Sequence, residues 1–171
     1  MKNYIYTSVC ILVMLLSSCK KENGGGGIPG DNTFIIDGVS YKADDVFYIE
    51  SSNSLRVQKI WPGTGLNNIE SITVEFSDDE LPTIGGDFKI VSDPYSPGDH
   101  TNNDEVSVIR SSFPHDYGSY VDNILFNAKL SPEQHITVTI VNGKINVKLT
   151  DIKMADLNGN ICTVSANFTQ K

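Results

Sequence analysis

The chain has 171 residues, with 13 lysines and arginines against 21 aspartates and glutamates, and a formal net charge of −8. That balance excludes a nucleic-acid binder, which needs a basic stripe to neutralise phosphates, and excludes electrostatic docking on anionic lipid. Hydrophobic residues are 39% of the chain, enough for one domain with a packed core, and the acidity serves solubility.

The first elements lie outside any fold. Residues 1–8 carry one cation, Lys2, and no acid, and residues 9–16 are uninterrupted apolar side chains. A spanning helix needs about 20 such residues, so this run is too short to cross a bilayer. A charged start, a brief apolar run and then small residues is the order of a secretory signal peptide. The run closes on Leu16-Ser17-Ser18-Cys19. A long aliphatic residue, two small residues and a cysteine resemble the lipobox of bacterial lipoproteins at all four positions. The resemblance implies that the Cys19 thiol is diacylglycerylated, that residues 1–18 are removed, and that the new amine is acylated. One acyl chain holds a protein marginally and two or more hold it stably, since each buried methylene contributes about 0.8 kcal/mol.

Residues 19–32 follow as a tether. Gly24 to Gly27 are consecutive, and ordering four glycines is entropically costly. As a flexible coil the segment spans about 20 Å, enough to lift a domain off the headgroups. Of the three cysteines, Cys10 leaves with the leader and Cys19 carries lipid. Cys162 is left without a disulfide partner, and the spacing fits no zinc site.

The domain is expected over residues 33–171. Phe34, Ile36, Val39 and Tyr41 alternate around Asp37-Gly38, a hairpin signal. Residues 46–50 and 55–60 read as strands, the second ended by Trp61-Pro62-Gly63 because proline cannot donate to a ladder. Ile72, Val74 and Phe76 alternate with Ser71, Thr73 and Glu75, predicting a half-buried strand. Residues 86–91 predict another, with Phe88 and Ile90 on one face. Residues 92–104 read as a loop, 106–109 as a strand, 111–119 as loop-like, and 120–128 as a strand with Ile124, Phe126 and Ala128 inward.

The C-terminal pattern is the clearest. Asn142-Gly143 is the preferred pair for a two-residue type I′ turn. It sets Ile140 opposite Ile145, Val138 opposite Val147 and Ile136 opposite Leu149, so the register checks itself. The apolar phase then slips, which one extra residue at Thr150-Asp151 explains as a β-bulge. A three-residue loop, Leu157-Asn158-Gly159, turns the chain again. It predicts Met154 opposite Cys162, Ile152 opposite Val164 and Leu149 opposite Phe168. The result is a three-stranded meander over about residues 136–169. No helical apolar period and no repeat appears. The reading is all-β, an antiparallel β-sandwich with a closed barrel as the alternative.

The lipobox, the tether, the opening Phe34-Ile35-Ile36-Asp37-Gly38-Val39-Ser40-Tyr41 and the closing Ser165-Ala166-Asn167-Phe168 together resemble the small uncharacterised lipoproteins of the Bacteroidota. The likeness covers both ends of the chain and the middle poorly. It implies an outer-membrane lipoprotein, on the periplasmic or the cell-surface face, and carries over no catalytic residue.

No hydrolase elbow, P-loop or dinucleotide loop is present. His100, His115 and His135 are scattered, so no catalytic set, resident metal or cofactor is expected. Asp156 to Asn160 start like a calcium loop but lack its glycine and closing glutamate; a turn accounts for them. Asp93, Asp99, Asp104 and Glu105 offer calcium a weaker alternative. The aromatic residues are the better lead. Trp61, Tyr95, Tyr117 and Tyr120 lie at a strand end or in and beside loops, where rings can stack on sugars while Asp and Asn bond hydroxyls. The alternative is that these rings cap the ends of the sandwich. The expected function is a lipid-anchored, non-catalytic β-domain binding a glycan or a protein. A structural subunit of an envelope assembly is the second reading.

Overall fold

The computed structural model describes residues 31–62, 68–77, 81–92, 104–113 and 124–171. They form eleven strands and one short 3-10 turn, Glu50–Ser52. The strands are β1 (Thr33–Ile36), β2 (Val39–Lys42), β3 (Asp45–Ile49), β4 (Ser54–Trp61), β5 (Asn68–Phe76), β6 (Gly86–Ile90), β7 (Glu105–Phe113), β8 (Ile124–Ala128), β9 (His135–Val141), β10 (Lys144–Ala155) and β11 (Ile161–Thr169). The all-β reading therefore holds. The strands make one hydrogen-bonded path, β2-β1-β11-β10-β9-β6-β7-β5-β4-β3, with β8 bridging β10 and β7. Every pair is antiparallel except β6 with β7, which is parallel.

The topology combines features of a sandwich and a ring. Both β7 and β10 are long, and each gives one edge to two shorter strands. β10 pairs β9 along Lys144–Lys148 and β8 at Met154–Ala155. β7 pairs β6 at Glu105–Val106 and β8 at Ile109–Ser112. A gap is left beside the middle of β10, and Gln134 fills it. Its Oε1 accepts from the Lys153 N–H at 2.7 Å, and its Nε2 donates to the carbonyls of Lys129 and Lys153. One side chain thus does the work of a missing strand residue, because a carboxamide presents the same donor and acceptor as a peptide group.

Turn chemistry sets the hairpins. Asp37 and Gly38, and Asn142 and Gly143, all have positive φ, as a type I′ turn requires. The resulting pairs include Phe34 with Tyr41, Ile140 with Ile145 and Val138 with Val147. Inward side chains from both flanks of the sheet merge in one core, with Phe34, Phe76, Phe168, Leu55 and Leu149 among its fully buried members.

Three expectations need correction. The bulge lies where the apolar phase placed it, between Leu149 and Ile152, but Leu149 pairs with Ala166 and Val147 with Phe168. The extra residue lies in β10, as expected, and it is the pairing beyond it that differs, Leu149 meeting Ala166 where Phe168 was expected. Second, residues 111–113 continue β7 instead of opening a loop. Third, β5 is more than half-buried: Ser71 and Thr73 are enclosed as well as their apolar neighbours. They are short side chains in a row between longer ones. Arg56, opposite Thr73, lies over it and donates from Nε to its hydroxyl at 3.0 Å.

Candidate functional site

Two polar places stand out against this core. The first is inside. Ile72, Val74 and Phe76 point inward, and the alternation carries Glu70 onto the same face of β5; on β7 Val106 and Val108 carry Arg110 inward in the same way. The two charges meet. Arg110 Nε and Nη2 donate to the two Glu70 carboxylate oxygens, each at 3.3 Å, with side chains only 14% and 16% exposed. Arg110 lies over the ring of Phe126, its cross-strand neighbour, 4.8 Å from the centroid, a cation–π contact. Burial opposes the charged guanidinium, but Glu70 outweighs it, and the Arg110 pKa is raised.

Arg110 also acts electrostatically on Cys162, a buried free thiol. Burial pushes the thiol pKa up and Arg110 only partly offsets this, so the sulfur stays protonated and unreactive at neutral pH. Tyr41 closes the assembly. It stacks on Phe34 with centroids 5.2 Å apart and takes the edge of Trp61 at 5.6 Å. Burial, then the nearby Glu70 carboxylate, raise its pKa. This cluster is charge-matched and covered, and serves to seal one end of the interior.

The second place is on the outer face, where β1, β11 and β10 lie side by side. A groove of about 610 Å³ is lined by Ile35, Asp37, Asp151, Lys153, Thr163 and Ser165 among others. Asp37 ends β1 in the hairpin turn. Its N–H donates to the Thr163 carbonyl at 2.9 Å, and its Oδ1 accepts from the Thr163 N–H at 2.8 Å. Asp151 is the bulged residue, at φ 52°, a conformation aspartate tolerates better than most side chains. The Ser165 hydroxyl accepts from the Asp151 N–H at 2.9 Å and donates to its Oδ1 at 3.1 Å. Lys153 donates from Nζ to the Thr163 hydroxyl at 2.6 Å. Each carboxylate is thus fixed through one oxygen.

Of the residues singled out in the sequence, Trp61 ends β4, half-buried and in contact with Tyr41. That contact is the one the end-capping alternative requires. Cys19, Tyr95, Tyr117 and Tyr120 lie outside the described residues, as do His100 and His115. The strand ends flanking them are described. Phe113 and Ile124, on either side of the segment with Tyr117 and Tyr120, belong to the same end of the sheet as Trp61: Trp61 pairs Asn68, Ile69 pairs Phe113 and Ser112 pairs Ile124. Asp104, which follows the segment with Tyr95, adjoins the other end of β7, about 27 Å away at about 3.3 Å per residue. His135 pairs with Glu133 at 3.0 Å, and Glu133 also meets Lys89 at 2.9 Å.

Asp156 closes the β10–β11 turn on itself, accepting from the Asn158 and Asn160 N–H groups at 2.9 and 2.7 Å and from Asn160 Nδ2 at 2.7 Å. Its oxygens serve the turn, as the sequence suggests, and among the described residues no group of three or more His, Cys, Asp or Glu could hold a metal ion. Sequence reasoning missed the groove. It identified Asp37 as a turn residue and Asp151 as a bulge residue, but only the pairing of β1 with β11 brings them onto one surface. No protein-family model, curated protein or solved structure matches the chain.

Proposed function

We propose that the chain is an envelope lipoprotein, held at the outer membrane by acyl chains on Cys19, whose non-catalytic β-domain binds a glycan or protein ligand. The observation that carries the reading is Leu16-Ser17-Ser18-Cys19 at the close of a short apolar run, followed by a glycine-rich spacer. The fold supports it from the other side. The first strand starts at Thr33, directly after the spacer, and Asn32 is fastened to the domain by its Oδ1, which accepts from the Thr169 N–H at 3.0 Å.

The outermost strands weigh for a ligand-binding module over an assembly subunit. β2 has four residues and β3 five, and they carry Lys42 and Asp45. Short edges bearing charge resist pairing with another chain. The test is fractionation of cells expressing the full chain. The native protein is expected in the membrane pellet, resistant to salt and released by detergent. Cys19→Ser is expected to abolish maturation and lipid attachment. A native protein that washes off with salt overturns the reading.

A further inference from the structure

The outer groove points to a ligand class, and this deepens the proposed function by assigning its ligand-binding part. We propose that the groove between β1, β11 and β10 binds a neutral, hydroxyl-rich chain, an oligosaccharide, and that Asp37, Asp151 and Lys153 are its polar contacts. Three observations converge.

The first is size and shape. A concavity of about 610 Å³ falls in the range of small-ligand sites, about 300–1,000 Å³. The second is preorganisation. Asp37 and Asp151 are both non-glycine residues at positive φ, 48° and 52°. The turn and the bulge that impose these angles fix where the two carboxylates project. Each carboxylate has Oδ1 tied to the neighbouring strand, by the Thr163 N–H and the Ser165 hydroxyl. That leaves Oδ2 directed by a fixed geometry and available to accept from a ligand. The Lys153 ammonium is held by the Thr163 hydroxyl and has two further protons to donate.

The third observation is charge. Asp37 and Asp151 against Lys153 leave the groove one negative charge, which disfavours an anionic ligand, while the Lys153 ammonium adds a donor that a cationic ligand cannot use. What remains complementary is a neutral molecule with closely spaced donors and acceptors, which is the character of vicinal sugar hydroxyls. Ile35, on the groove floor and only half-buried, offers an apolar surface to the C–H face of a ring.

The experiment titrates the full chain in detergent, labelled with nitrogen-15, with four neutral probes: maltohexaose, cellohexaose, mannohexaose and xylohexaose. Polygalacturonate and a lysine-rich peptide are the anionic and cationic counterparts. The expected result is saturable amide shifts at Ile35, Asp37, Asp151, Lys153 and Thr163 with at least one neutral probe, and none there with the charged ones. Asp151→Asn keeps a residue suited to positive φ and keeps an acceptor for Ser165, so the fold persists. It is expected to weaken binding about tenfold, the loss of one charge-assisted hydrogen bond. Lys153→Met is expected to weaken it to a similar degree. No groove shift with any neutral probe overturns the proposal, as does preferential binding of either charged probe or unchanged affinity in both variants. Shifts confined to residues around Trp61 also overturn it, while leaving a ligand-binding lipoprotein intact. Loss of the lipid on Cys19 would sink the anchoring instead, and is read separately by fractionation.

Discussion

Removing the Glu70 carboxylate should destabilise the domain by about 3 kcal/mol. Arg110 and Glu70 are 14% and 16% exposed, so the pair has lost most of its water. Two unit charges about 4 Å apart interact by about 4 kcal/mol at an effective dielectric of about 20. Breaking a buried pair by deleting one partner costs about 3–5 kcal/mol, because the survivor stays buried and uncompensated. The lower end applies here. Both contacts are long, at 3.3 Å, and Arg110 keeps the Phe126 ring, worth about 1 kcal/mol. In urea, with a slope of about 1–3 kcal/mol/M, Glu70→Ala should lower the midpoint by about 1–3 M. The double variant Glu70→Leu with Arg110→Met removes both charges and keeps volume. It should return to within about 1 kcal/mol of the native protein. A Glu70→Ala loss under about 1 kcal/mol, or a double variant no more stable than the single, refutes the claim that the interior pair is a coupled unit.

Other expectations test the remaining devices. Gln134→Ala should cost about 2 kcal/mol in urea, since the Lys153 N–H and the Lys129 and Lys153 carbonyls lose their shared partner; Gln134→Glu should recover only the acceptor half. Cys162 should resist alkylation in the folded protein and react on denaturation, as peptide mapping after iodoacetamide treatment would show. The pH dependence has a fixed sign. The Asn160 side-chain amide, opposed by slight desolvation and aided by backbone N–H groups, holds Asp156 below 3.8, and Lys89 and then His135 lower Glu133 below 4.5. Both carboxylates have folded pKa values below their unfolded ones. Their stabilisation is therefore full above the unfolded values and lost as pH falls through the folded ones. The urea midpoint should hold down to about pH 4–5 and fall below it, less steeply in Asp156→Asn.

The local parts of the fold were legible because local chemistry decides them. Asn142-Gly143 and Asp37-Gly38 set their turns by the positive φ they tolerate, and aliphatic alternation in β9 and β10 admits one register. The bulge was legible as a break in that alternation. The partner of Leu149 beyond it was not, because Ala166 and Phe168 share a face and period two cannot choose between them. The end of β7 was hidden because Arg110 and Ser112 occupy inward positions where an apolar residue is expected. Arg110 is accepted there only because Glu70 is its diagonal neighbour on another strand. The groove was illegible for the same reason. Asp37 and Asp151 each had a local explanation, and their shared surface comes from the pairing of the first strand with the last, which no local pattern encodes.

The central claim is that Cys19 carries the lipid from which this domain hangs. Mass spectrometry of the protein extracted from membranes reads it directly. The account predicts a mature chain lacking residues 1–18, with a diacylglyceryl thioether on Cys19. An intact leader, or a free Cys19 thiol in the membrane-extracted protein, would contradict it.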